Sequence, residues 1–112
     1  MNRQTSHIVL SKSVLQNITT HIKIEGILNQ VYAQVGKEAQ RNKKSYKFDL
    51  MHHHNVNLLR GYTTNTEEET ELIICEVMNA FNREFPGCKV ERIKTIGYEN
   101  KIVENFIVID WS

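Results

Sequence analysis

Three consecutive histidines, His52-His53-His54, are the residues whose type and spacing could bind a metal. Imidazole is a good zinc ligand, but neighbours on a strand point to opposite faces, so only His52 and His54 could converge on one ion. A site needs a third and usually a fourth ligand. No H-x-x-x-H, H-E-x-x-H or paired-cysteine spacing supplies one, and Asp49 or Cys88 could join only through the fold. His52 and His54 therefore stand as weak metal candidates, against the alternative of a polar, solvated strand end. His7 and His21 are isolated and read as surface residues.

The second candidate chemistry is phosphate binding. Lys37, Arg41, Lys43, Lys44 and Lys47 fall within one short segment with Tyr46 interleaved. Cations neutralise phosphates, and an exposed tyrosine can stack on an unpaired base. The same cations also suit a helix C-terminus, where the dipole favours positive charge. Tyr46 is in phase with Phe48 and Leu50, which assigns it to the core.

Glu67-Glu68-Glu69 could suggest acid–base chemistry or cation binding. A helix N-terminus accounts for all three, and it holds them ionised, which makes them poor proton donors. Asp110, beside Trp111, is an isolated acid. There is no G-x-S-x-G, phosphate loop, dinucleotide fingerprint or recognisable Cys–His pairing. No catalytic residue and no cofactor is implied, and an enzyme is not the favoured reading.

Composition narrows the class. A chain of 112 residues is one domain, long enough for a core without staples. Fourteen basic against thirteen acidic side chains leave a net charge of +1, which argues against a surface wholly given to nucleic acid or anionic membrane. Cys75 and Cys88 fit no disulfide framework: Cys75 reads as a small core residue and Cys88 as the start of a strand. The N-terminal residues do not form a signal peptide, and no stretch approaches the roughly 20 apolar residues that span a bilayer. A soluble, intracellular, cytoplasmic chain is expected.

The elements that must position these residues follow from periodicity. Ile8 to Leu10 are ambiguous, either frayed or a short strand. Ser13 with Gln16 resembles a capping box, after which Val14, Leu15 and Ile18 share a helical face. The β-branched run from Ile18 to Ile24, followed by Gly26, breaks the stripe and predicts an irregularity over residues 19–25. A helical face resumes with Ile24, Ile27, Leu28, Val31 and Val35. Ser45 to Met51 alternate as a half-buried strand. Residues 52–63 are open between a second strand and a turn of helix, with Val56, Leu58, Leu59 and Tyr62 as its apolar positions. The best-marked helix runs from Thr66 to Glu84, with Thr66 and Glu69 as a capping box. Leu72, Ile73, Cys75, Val77, Ala80, Phe81 and Phe85 make it a central, well-buried helix ended by Pro86-Gly87.

A hairpin closes the chain: Cys88 to Gly97, a turn through Tyr98 to Lys101, and a terminal strand over Val103 to Ser112. The spacing of Val90, Ile93 and Ile96 departs from alternation and predicts a bulge or a strongly twisted edge. Ile107, Ile109 and Trp111 lie on one face of the last strand, and Phe106, Val108 and Asp110 on the other. Trp111 implies that this end is docked into the fold.

The ending F-I-V-I-D-W-S after a helix and hairpin, in a chain rich in Ile, Asn and Lys, resembles short uncharacterised proteins of large DNA viruses and phages. The likeness covers about the last fifty residues and implies no activity and no site residues.

The expected fold is α+β, a small single domain over residues 1–112. It comprises N-terminal helices, a central helix and a C-terminal antiparallel β-hairpin within a three- to four-stranded sheet. The terminal strand is apolar on both faces, so either the chain's own helices or a second copy would cover them, and a homodimer is expected. The leading functional expectation is a non-catalytic protein-interaction module, a viral or accessory factor with a protein partner and no membrane. The alternative is a nucleic-acid-binding protein using segment 37–47.

Overall fold

The computed structural model describes residues 10–60 and 66–112. Its order is α1 (Lys12–Gln40), β1 (Ser45–Asp49), α2 (His53–Arg60), α3 (Glu67–Glu84), β2 (Lys89–Ile96) and β3 (Ile102–Asp110). The strands form one antiparallel sheet in the order β1-β3-β2. This is the expected α+β class, with three strands. Ile8 and Val9, with His7 and Tyr62, lie outside the described residues, and Leu10 is exposed without strand structure.

α1 is an uninterrupted helix of 29 residues. Its N-cap is Ser11, whose hydroxyl accepts the Val14 N–H at 3.3 Å, so the expected capping box at Ser13 and Gln16 sits two residues too late. The irregularity expected over residues 19–25 does not occur. β-branched residues cost a helix only tenths of a kcal/mol each, and the Thr19 hydroxyl is satisfied within the helix by the Leu15 carbonyl at 3.0 Å. The helix ends on Asn42, which takes a left-handed conformation at φ 64°. There Lys43 N–H donates to Glu38 O and Asn42 N–H to Ala39 O, both at 3.0 Å, closing the last turn in a Schellman arrangement.

Residues 53–60 form a helix, not a second strand, so the histidine run sits at a helix start and not at a strand end. α3 begins as its sequence requires. Thr66 Oγ1 accepts the Glu69 N–H at 3.1 Å and donates to Glu69 Oε1 at 3.1 Å, and Glu67, Glu68 and Glu69 occupy the first turn. Gly87, at φ 85°, turns the chain out of α3 in a backbone region that side chains disfavour.

The core lies between the helices and the inner sheet face. Ile27, Leu28 and Val31 of α1, Leu59 of α2, and Ile74, Val77, Ala80 and Phe81 of α3 pack with Phe48, Ile107 and Ile109. Register explains the sheet's share: Phe48 is opposite Ile107, and Ile109 stands between Tyr46 and Val90. Phe48 and Phe81 meet edge to face, with ring centroids 5.9 Å apart. Two core expectations for α3 are corrected. Leu72 is 68 % exposed and Cys75 is exposed, because both fall outside the stripe through Ile73, Ile74, Val77, Ala80 and Phe81 that faces the sheet. The helix is buried on one side only.

The opposite sheet face carries Ile93, Phe106 and Val108, which are half-buried. The expected irregularity in β2 is a register shift between Thr95 and Ile96. Lys101 N–H returns to Tyr98 O at 3.3 Å, and Glu99 and Asn100 both take positive φ, the signature of a type I′ hairpin turn.

Candidate interaction surface

Each residue singled out for chemistry has a structural position. His52 Nδ1 accepts the His54 N–H at 3.3 Å, which caps the first turn of α2. The His52 and His53 rings stack at 4.9 Å. His54 Nε2 lies 2.8 Å from Gln30 Oε1. Gln30 in turn donates to Asn55 Oδ1 at 3.1 Å, and Asn55 donates to Asp49 O at 2.8 Å. The histidine run thus belongs to a chain of amides that fastens α2 to α1 and to the end of β1. Among the described residues, no third His, Cys, Asp or Glu joins His52 and His54 in a group that could hold a metal.

The basic segment is not assembled into a cradle either. Arg41 pairs with Glu38 at 3.5 Å. Lys47 points to the outer sheet face, 4.7 Å above the Phe106 ring. Lys37, Lys43 and Lys44 are exposed at the helix end and the turn after it. Tyr46, the aromatic that would stack on a base, packs against the core, and burial raises its pKa. Segment 37–47 therefore offers exposed cations without an aromatic platform.

A third charged group emerges that the sequence did not reveal. Arg92 of β2 makes a two-pronged contact with the Glu71 carboxylate of α3, with Nη2 at 3.0 Å from Oε1, and its Nε donates to Asn105 Oδ1 at 3.2 Å. Hydrogen bonding to Arg92 lowers the Glu71 pKa. Arg92 stands on the inner face, opposite Ile107, so the pair closes the edge of the core. It is a structural tie between α3 and β2.

Among the described residues, exposed apolar side chains gather at the hairpin end, where Ile96, Tyr98, Ile102 and Val103 are exposed, and on α1. Ile27, Leu28 and Val31 bury one side of the helix. Its first half carries a second stripe, Leu15, Ile18 and Ile22, with exposures of 47, 46 and 65 %. At 3.6 residues per turn this stripe lies roughly 150° around the helix from the core stripe. Leu15 also lines a groove with Leu72 and Ile73 of α3, edged by Lys12, Gln16 and Thr19. Scattered exposed apolar residues are ordinary, whereas Leu15, Ile18 and Ile22 recur on one side of the helix. The described molecule extends 61 × 38 × 21 Å. A helix of this length spans about 43 Å, and its first half lies alongside α3, where the two helices line shared grooves.

No family model, no curated protein and no solved structure matches the chain. No described helix is long and apolar enough to cross a membrane.

Proposed function

We propose that this chain is a non-catalytic protein-interaction module, an accessory factor whose contact surface is the free half of α1 with Leu72 beside it. One observation carries the reading: the Leu15, Ile18 and Ile22 stripe is solvent-facing, in phase, and turned away from the core that the same helix serves. Large apolar side chains on a helix face are selected either by a core or by a partner, and here the core lies on the other side.

The test is a photocrosslinking residue placed at Ile18 and, as a control, at Glu91 on the outer sheet face. Protein adducts from position 18 and none from position 91 are the expected result. Absence of adducts from position 18 in cells that express the chain would overturn the reading. Nucleic-acid binding through Lys37, Lys43 and Lys44 is the alternative. It predicts retention on DNA or RNA at low salt that falls steeply as salt rises.

A further inference from the structure

We infer that the open edge of β1 binds an extended acidic segment of another protein, which joins the sheet as a fourth strand. This surface is separate from the α1 stripe, so the inference goes beyond the reading above and does not depend on it.

The hydrogen-bonding phase of β1 carries the argument. Leu50 N–H donates to Asn105 O at 2.8 Å, and Trp111 N–H to Lys44 O at 2.9 Å. Even-numbered residues of this stretch therefore turn their backbone groups towards β3. Bonding alternates along an antiparallel ladder, so Ser45, Lys47 and Asp49 turn theirs outward, on the side of the sheet where β1 has no neighbouring strand. Asp49 O accepts the Asn55 amide at 2.8 Å. The Ser45 carbonyl, the Lys47 N–H and carbonyl, and the Asp49 N–H make no hydrogen bond among the described residues. Such a row is a template for an added strand. Beside it lies an open hollow of about 340 Å³, lined by Gln30 and Gln34 of α1 and by His52 and His54. An added strand has room there, with polar groups facing its inward side chains.

Charge selects the occupant. Lys43, Lys44 and Lys47 are exposed along this edge, and Asp49 is the one acid on the strand. Carboxylates on an incoming strand match them, and a basic strand is repelled. Pairing β1 in full register with the β1 of a second copy would set Lys47 against Lys47, which is also repulsive. The other edge of the sheet is protected. Its outward-facing residues include Arg92 and Lys94, whose cations are both drawn to Glu71 of α3, and its register shifts between Thr95 and Ile96. Inward charge and a bulge are the devices by which an edge refuses a partner. β1 is five residues long and supplies few backbone bonds, so the expected dissociation constant is on the order of 100 µM.

The test is an amide-resolved NMR titration of the full chain with a capped peptide of about eight residues, alternating glutamate and threonine, taken to roughly 2 mM. The Lys47 and Asp49 amide protons are expected to shift downfield and to exchange several-fold more slowly at saturation. Tyr46 and Phe48, already bonded to β3, should change less. The same peptide N-methylated throughout, and a lysine–threonine peptide of equal length, should not bind. Lys43→Glu combined with Lys44→Glu should weaken the acidic peptide several-fold. Unmoved Lys47 and Asp49 amides at the highest concentration overturn the inference. So does an N-methylated peptide that binds as tightly as its parent, because the contact is then charge alone. A single-stranded oligonucleotide that shifts the Lys43 and Lys44 amides while the acidic peptide shifts none assigns these cations to nucleic acid, and the inference fails.

Discussion

The indole N–H of Trp111 donates to the backbone carbonyl of Lys43 at 3.1 Å. The Trp111 backbone N–H donates to Lys44 O at 2.9 Å, so the last turn of the chain is clamped to the segment that links α1 to β1. Through this clamp the end of the central strand holds the far end of the longest helix. Trp111→Phe keeps most of the ring packing and removes the donor. It should cost about 1 kcal/mol and lower the melting temperature by roughly 4 °C. Deleting Asp110 to Ser112 also removes the register partner of Ser45 and Lys89 and should lower it further. A deletion that melts like the full chain would show that the clamp contributes nothing.

Asn55 is a buried polar side chain satisfied on both sides, by Gln30 and by the Asp49 carbonyl. Asn55→Ala leaves the Gln30 amide and that carbonyl without their partner. Both groups are only partly buried, so the cost lies at the low end for orphaned groups, about 1 kcal/mol, and chemical denaturation should show a loss of stability of that size. His54→Ala, which removes an exposed partner of Gln30, should cost much less. Equal losses for the two variants would place the energy in the helix–helix contact and not in the buried amide.

Much of the fold was legible from periodicity and capping, and the error in α1 is instructive. Val14, Leu15 and Ile18 are out of phase with Ile24, Ile27, Leu28, Val31 and Val35. The sequence permits two explanations of a phase jump: a break in the helix, or a straight helix with two apolar faces. Only the packing around the helix distinguishes them, and within the described fold Leu15, Ile18 and Ile22 stay exposed. Leu72 and Cys75 were misplaced for a related reason, since a helix apolar over more than half its circumference need not be buried over all of it. Asn42 carried a signal that was readable, as Asn favours a left-handed C′ position after a basic helix end. The pairing of Arg92 with Glu71 was not readable, because it joins residues from two elements whose contact depends on strand order.

That pairing sets an acid limb to stability. Hydrogen bonding to Arg92 lowers the Glu71 pKa in the folded chain. A carboxylate whose folded pKa is depressed contributes stability that is fully present above its unfolded pKa, near 4.3, and that is lost as pH falls through the folded value. Glu71 is partly exposed, so the contribution is discounted to about 1 kcal/mol. Glu71→Gln should destabilise the chain at pH 7 by that amount, and the difference from the parent should shrink as the pH is lowered below 4. A difference that stays constant from pH 7 to pH 3 would rule out the ionised pair as its source.

α1 also contains two glycines whose replacement has a defined sign. Gly26 and Gly36 lie inside the helix, and a Cβ added at either meets nothing within 4 Å. Alanine therefore gains helix propensity without a clash, about 0.5–1 kcal/mol per site. The two positions are ten residues apart and should act additively. The double variant is then expected to raise the melting temperature by roughly 4–8 °C per kcal/mol gained. Gly36 lies in the half of α1 that the core already holds, whereas Gly26 borders the free half. Hydrogen exchange over residues 12–25 should accordingly slow more for Gly26→Ala than for Gly36→Ala. Equal protection from the two changes would mean that α1 opens as a single unit from Lys12 to Gln40, and that its free half is no looser than the half the sheet covers.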